Sequence, residues 1–227
     1  MKNFQARAAR RIKRGLLALR FRLWQRQRYD RLVLERIDGR PYVILPQVFN
    51  PALFEASTFL ARTLNSISLA PETSVLDLGT GSGLNAIVAA QRSHCVTASD
   101  INPQAVRCAR INALLNHVDE RIAVVEGDLF APIGERRFDV IVFNPPFFRG
   151  PPRDLLDRAW RSTDVIERFA AEVREHLTPH GYSLVIYSSS ADEAALRRAF
   201  EVNSLHYSVF ALRDVISEVL TIYRVKA

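Results

Sequence analysis

The stretch Val75-Leu76-Asp77-Leu78-Gly79-Thr80-Gly81-Ser82-Gly83-Leu84-Asn85 runs from a short apolar strand through a glycine-rich turn into a helical pattern. Glycines let the backbone approach a ligand closely, and the free N–H groups of a helix start suit a carboxylate or other anion. Such a turn is shared by many nucleotide binders. The spacing Gly79, Gly81, Gly83 puts Leu84 where the last glycine of a dinucleotide fingerprint would stand, which argues against a dinucleotide fold.

Outward from this turn, strand-like runs alternate with helical patterns. Val75–Leu78, Cys95–Ser99, Ile122–Glu126, Val140–Phe143 and Leu184–Tyr187 are separated by helices predicted around Leu84–Gln91, Pro103–Asn116 and Asp164–Leu177. In the last of these, Ile166, Phe169, Ala170, Val173 and Leu177 mark the buried side. Short continuous apolar strands between helices imply a parallel sheet covered on both faces. A further helix near Ala191–Phe200 precedes Tyr207–Leu212 and Val219–Val225, two strands joined without a helix. The expected fold is therefore α/β: a doubly wound, mostly parallel, seven-stranded sheet with a reversed last strand.

Ahead of it, Arg31–Ile37 and Arg40–Leu45 flank Asp38-Gly39, a hairpin signal because both residues tolerate positive φ. Asn50-Pro51 then opens a helix carrying Leu53, Phe54, Phe59 and Leu60 up to the break at Ala70-Pro71. The expected divisions are a basic amphipathic helix over 1–30, a hairpin and helix collar over 31–70, and a catalytic domain over 71–227.

Two strand ends add carboxylates to the glycine turn. The second strand ends in Ser99-Asp100-Ile101-Asn102-Pro103, where an acid can accept both hydroxyls of a ribose; the third ends in Glu126-Gly127-Asp128-Leu129. Either Asp alone reads equally as a helix cap. The fourth strand ends in Phe143-Asn144-Pro145-Pro146-Phe147. An amide or aromatic amine is a poor nucleophile that needs orientation more than deprotonation. An Asn carbonyl and a proline backbone carbonyl can accept its two N–H bonds while an aromatic ring stacks on the planar group. Neither a metal nor a strong base is required. Asn-Pro-Pro is also a rigid exit from a strand.

This succession resembles the class I, Rossmann-like methyltransferases, and Asn-Pro-Pro-Phe is similar to the Asn-Pro-Pro-Tyr/Phe signature of those that methylate glutamine, adenine or guanine nitrogens. The resemblance runs from about Glu72 onward, and within the group it points to the short release-factor glutamine methyltransferases (HemK-like). It implies the cofactor S-adenosyl-L-methionine, held by Asp77, Gly79, Thr80, Gly81, Gly83, Asp100, Ile101, Asn102, Asp128, Leu129 and Asn144. Asp77 and the glycines would take its methionine part, Asp100 its ribose and Asp128 its adenine. Transfer would fall to Asn144, Pro145, Pro146 and Phe147. The implied acceptor is a macromolecule: a release factor's glutamine, or alternatively an adenine or guanine of RNA or DNA, with a small amine as a further alternative. Phe147 in place of Tyr keeps the ring and loses a hydroxyl.

Charge is unevenly placed. Met1 to Arg28 holds ten of the 31 Lys and Arg and no acid, leaving 21 bases against 24 acids in the remainder. Ile12, Leu16, Leu19 and Leu23 fall at helical spacing among these bases. That helix either packs on the domain or contacts nucleic acid, the ribosome or an anionic surface; an Arg-rich organelle-targeting segment is the other reading. The apolar run Gly15–Leu19 is too short for a span of ~20 residues, so no transmembrane segment is expected. Cys95 and Cys108 stand apart without metal-ligand spacing, which fits a reducing cytoplasmic setting. Trp160, Arg161 and Arg153 either line an acceptor slot or cover a sheet edge, and Arg149-Gly150 suits a lid.

Overall fold

The computed structural model describes residues 29–215 and 217–227. The basic helix expected over 1–30 falls almost wholly outside the described residues. A hairpin leads: β1 (Val33–Ile37) pairs antiparallel with β2 (Arg40–Ile44). Asp38 and Gly39 take φ of 47° and 84°, the left-handed pair that a two-residue turn requires.

The collar helix departs from its expected form. Pro51–Leu53 is one 3-10 turn capped by the Asn50 side chain, which accepts from Ala52 N. Phe54 is then extended, with φ −132°, and its ring stacks on Phe49 at 4.8 Å, so α1 (Glu55–Ser66) starts afresh. It ends four residues short of Ala70, where Ile67 turns extended and the Ser66 hydroxyl bonds back to the Thr63 carbonyl.

The main sheet is built from β3 (Ser74–Leu78), β4 (Cys95–Asp100), β5 (Ile122–Glu126), β6 (Phe138–Phe143), β9 (Leu177–Ser188), β10 (His206–Asp214) and β11 (Val219–Lys226). Two short strands, β7 (Phe148–Arg149) and β8 (Arg161–Ser162), pair separately. The order across the sheet is β10-β11-β9-β6-β3-β4-β5. All pairings among β5, β4, β3, β6 and β9 are parallel; β11 runs antiparallel to both neighbours, so the last strand is the reversed one.

The crossovers are α2 (Leu84–Ala90), α3 (Pro103–Leu115), α4 (Val165–Glu172) and α5 (Glu193–Val202). Where one helix was expected to continue to Leu177, the chain tightens to a 3-10 turn at Val173–His176, because Leu177 is recruited opposite Phe138 in the sheet. The five predicted apolar positions are nonetheless all buried.

Two cores lie on opposite faces of the sheet. One joins the hairpin and α1 with α2 and α3; the other joins α4 and α5. Strand alternation divides the residues between them: Val140 and Val142 face the first, Ile141 and Phe143 the second. Fully buried Asn112 of α3 fastens the hairpin to the sheet. Its Oδ1 accepts from Val43 N at 2.7 Å, and its Nδ2 donates to Val43 O at 2.7 Å and to Ser82 O in the glycine turn at 2.9 Å. The hairpin is thus bonded to the loop on which a ligand site would be built. Among the described residues no helix is long and apolar enough to cross a membrane.

Candidate functional site

The chain enters the sheet at β3, moves outward through β4 and β5, and returns to place β6 on the other side of β3. Adjacent strands whose connections diverge leave a crevice at their carboxyl ends. Register makes this concrete: Leu78 pairs with both Ser99 and Phe143, so Gly79, Asp100 and Asn144, one residue further on, leave the sheet side by side. A cleft of about 280 Å³ opens there.

The glycine turn forms its floor. Gly79 and Gly81 have φ of 67° and 57°, and a Cβ at Gly81 would meet nothing within 4 Å, so the requirement there is conformational. Gly83 differs: a Cβ would come within 3.2 Å of Ala109, and the residue serves close packing of α2 on α3 rather than the cleft. Asp77 lies beneath the turn and does not line the cleft. Its carboxylate accepts from Thr80 Oγ1 at 2.6 Å, Ala86 N at 3.0 Å and Asn85 Nδ2 at 3.3 Å, binding the turn to the first residues of α2. Burial pushes its pKa up to about 6 against these three bonds.

Asp100 lines the cleft with both oxygens engaged: Oδ2 accepts from Gly81 N at 2.8 Å and Oδ1 from Asn102 N at 2.9 Å. Burial raises its pKa above the usual carboxylate value. Thr80, Ile101, Asn102, Asp128 and Leu129 also border the cleft. The Asn102 side chain is already committed, capping α3 through Gln104 N and donating to Gln47 O at 2.8 Å. Asp128 is paired with Arg168 of α4 at 2.9 Å, both groups remaining partly exposed.

On the β6 side, Asn144 and Pro146 line the cleft, whereas Pro145 is buried and, with Phe147, stands outside it. Asn144 Nδ2 donates to Ser57 Oγ of α1 at 3.2 Å. The Phe147 ring meets Tyr187 of β9 edge-on, with centroids 5.4 Å apart at 65°. The ring packs against both cores and does not line the cleft.

The segment between β7 and α4 roofs the cleft; of the residues the sequence offered for an acceptor slot, Arg161 lines it, whereas Trp160 and Arg153 do not. Pro152, Leu156 and Arg161 face the cavity, while Trp160 meets Phe49 and Tyr29 edge-on at 5.6 and 5.4 Å. Buried Asp157 organises the roof: Arg153 donates to it from N, Nε and Nη2 at 3.0, 3.2 and 2.8 Å, and Arg161 Nε lies 3.3 Å away. Arg149, read as part of a flexible lid, is paired with Glu167 of α4.

The hydrogen bond from Arg153 holds the Asp157 carboxyl down at about 2. A carboxylate whose folded value lies below its unfolded 3.8 stabilises the fold above that unfolded value and loses the contribution as pH falls through the folded one. The wild-type roof should accordingly resist pepsin until the pH falls below about 3, whereas Asp157→Asn should be cut within residues 150–162 at every acid pH tested. Equal cleavage of the two proteins would show that Asp157 does not hold the roof.

The donor set suits a ligand that combines an amino acid, a ribose and an adenine. Among the described residues Ser82 Oγ and Asn85 Oδ1 are buried beside the glycine turn without a hydrogen-bond partner, as a bound amino acid group would require. Neither residue was singled out in the sequence; the signal was a serine just ahead of Gly83 and an asparagine in the first turn of an otherwise apolar helix.

The methyltransferase small domain family matches residues 43–208. A ribosomal protein uL3 glutamine methyltransferase from Bradyrhizobium diazoefficiens is 39% identical over 121 residues, 47% of this chain and 38% of its own length. A release factor glutamine methyltransferase from Koribacter versatilis is 31% identical over 190 residues, 71% of this chain and 67% of its own. A tRNA1(Val) (adenine(37)-N6)-methyltransferase from Porphyromonas gingivalis is 38% identical over 117 residues, 47% and 46% of the two chains. The chain thus spans less than half of two of these relatives and two thirds of the third. Among solved structures, the Thermus thermophilus 16S rRNA N2 G1207 methyltransferase superposes with a TM-score of 0.65 at 24% identity, over 87% of this chain and 50% of that one.

Proposed function

We infer, from the fact that this chain belongs to the methyltransferase small-domain family, that it transfers the methyl group of S-adenosylmethionine to a protein glutamine side-chain amide. Its sheet is the class I, Rossmann-like one, with the reversed last strand in place. The observation that carries the reading is the Asn144 amide in the cleft wall, one residue beyond the Leu78–Phe143 pair and beside the glycine turn.

When bound, the cofactor supplies an electrophilic methyl on a sulfonium. The chain's own part is to bind, orient and exclude water. Gly79, Thr80 and Gly81 offer backbone to the methionine part, with Asp77 acting from below to fix their conformation. Asp100 takes the ribose hydroxyls, and Asp128 with Leu129 borders the adenine. Asn144 Oδ1 accepts one N–H of the target amide and aims the nitrogen at the methyl group, while Pro145, which stands outside the cleft, fixes the turn that follows Asn144. Phe147 supports this turn by packing, and the stack on the acceptor is not assigned to it. The roof over residues 150–162 keeps water from the site.

Glutamine is favoured because the release factor and uL3 relatives act on that side chain. A base amine of RNA is the second reading, favoured by the tRNA adenine relative and by ten bases without an acid in residues 1–28, which would grip phosphates. The collar over 31–70 is assigned to the catalytic unit with 71–227, since it shares a core with α2 and α3. A cytoplasmic setting is consistent with two free cysteines.

The test is transfer of tritiated methyl from S-adenosylmethionine into an extract of cells lacking the gene, followed by protease or nuclease. Label released by protease alone and recovered as methylglutamine is the expected result. Label released by nuclease alone would replace glutamine with a base, and no incorporation in any fraction would overturn the macromolecular acceptor.

A further inference from the structure

We propose that Ser57 is a positioning residue for methyl transfer: it holds the Asn144 amide so that its carbonyl end faces the acceptor. The proposal rests on the reading of Asn144 given above. Ser57 stands on the buried face of α1, in register with Leu60, Ala61 and Leu64 at i+3, i+4 and i+7. A hydroxyl in such a row forgoes the packing of an apolar side chain. Ser57 is only 5% exposed, yet it borders the cleft, and its oxygen accepts from Asn144 Nδ2 at 3.2 Å.

The Ser57 hydroxyl can donate or accept, so the direction of that bond is set by the acceptor. An asparagine amide donates at one end and accepts at the other, and a target amide or exocyclic amine presents N–H bonds, so only the Oδ1 end of Asn144 can receive it. Turning the Nδ2 end to the acceptor would set donor against donor. With Nδ2 tied to Ser57, acceptor N–H to Asn144 Oδ1 and Asn144 Nδ2 to Ser57 Oγ form one continuous chain, in which each bond polarises the next. The residue that completes it comes from the collar, 87 positions from Asn144 in sequence. The collar thereby contributes to transfer itself, beyond covering the sheet.

The experiment compares the full-length wild type with Ser57→Ala, Ser57→Thr, Asn144→Ala and the double variant. Initial rates of tritiated methyl incorporation are measured over a range of concentrations of extract from cells lacking the gene. Calorimetric Kd for S-adenosylhomocysteine and Tm are measured alongside. Alanine suits a helix interior, so Ser57→Ala is expected to fold. Its plateau rate should fall about five- to tenfold, as loss of one hydrogen bond predicts, with Kd and half-saturating extract unchanged within about twofold. Ser57→Thr should recover at least about half of the wild-type rate, because the hydroxyl is retained. The decisive comparison is the double variant, which should match Asn144→Ala alone, since a residue acting through Asn144 has nothing left to act on. A Ser57→Ala rate equal to wild type, or losses that multiply in the double variant, would overturn the proposal while Asn144 keeps its role. If Asn144→Ala itself turns over normally, the reading of Asn144 falls and the proposal falls with it.

Discussion

Asn144→Ala should lower methyl-transfer turnover by about 10²- to 10³-fold while leaving cofactor affinity within about twofold, the range seen when one group that orients the reacting centre is removed. The amide lies in the cleft wall at the end of β6, and among the described residues its side chain is hydrogen-bonded to Ser57 alone. Alanine removes the acceptor for the target N–H and leaves the backbone course through Pro145 and Pro146 intact. The stability cost is confined to about 1 kcal/mol, because the side chain is partly exposed and the partner hydroxyl borders the cleft. Turnover by tritium incorporation and Kd for S-adenosylhomocysteine by calorimetry separate the two effects. A variant that keeps near-normal turnover removes Asn144 from the transfer step. One that loses turnover and affinity together shifts its role to cofactor binding.

The sequence made the sheet legible because strands buried on both faces are continuous apolar runs, and because Gly79, Asp100 and Asn144 stand at strand ends whose order follows from the fold. What it hid was the direction of side chains. Asp77 reads as a ligand from its place beside the glycines, yet it precedes the last residue of β3, and the two-residue period of a strand turns it under α2. Phe147 has a place along the chain given by the motif, but its ring packs on Tyr187, 40 residues later in the sequence. The roof depends on ion pairs from Arg153 and Arg161 to the buried carboxylate of Asp157, and no local period announces it. Ser57 was overlooked for a different reason: one serine in an apolar helix row is common, and only the packing of α1 against the end of β6 gives it a partner.

That division between what lines the cleft and what lies beneath it separates two acids the sequence treats alike. Asp100→Ala should weaken cofactor binding about 100-fold, since two hydrogen bonds from ribose hydroxyls to a charged acceptor are worth ~3 kcal/mol together. The same change strips Gly81 N and Asn102 N of their acceptor, at ~1–3 kcal/mol for each donor left buried and unpaired, so the melting temperature should fall as well. Asp100→Asn discriminates the two contributions. Its carbonyl can retain one backbone donor, while its NH₂ turns a donor toward the other, and its single oxygen carries no charge for the ribose. Affinity should therefore remain low, with stability partly restored. Acidification should act in the same direction, because burial raises the Asp100 pKa and protonation removes the charged acceptor at a higher pH than for an ordinary carboxylate. Calorimetric affinity for S-adenosylhomocysteine that is unchanged in Asp100→Ala would mean the ribose is held elsewhere on the cleft. A loss confined to stability would make Asp100, like Asp77, a support for the glycine turn.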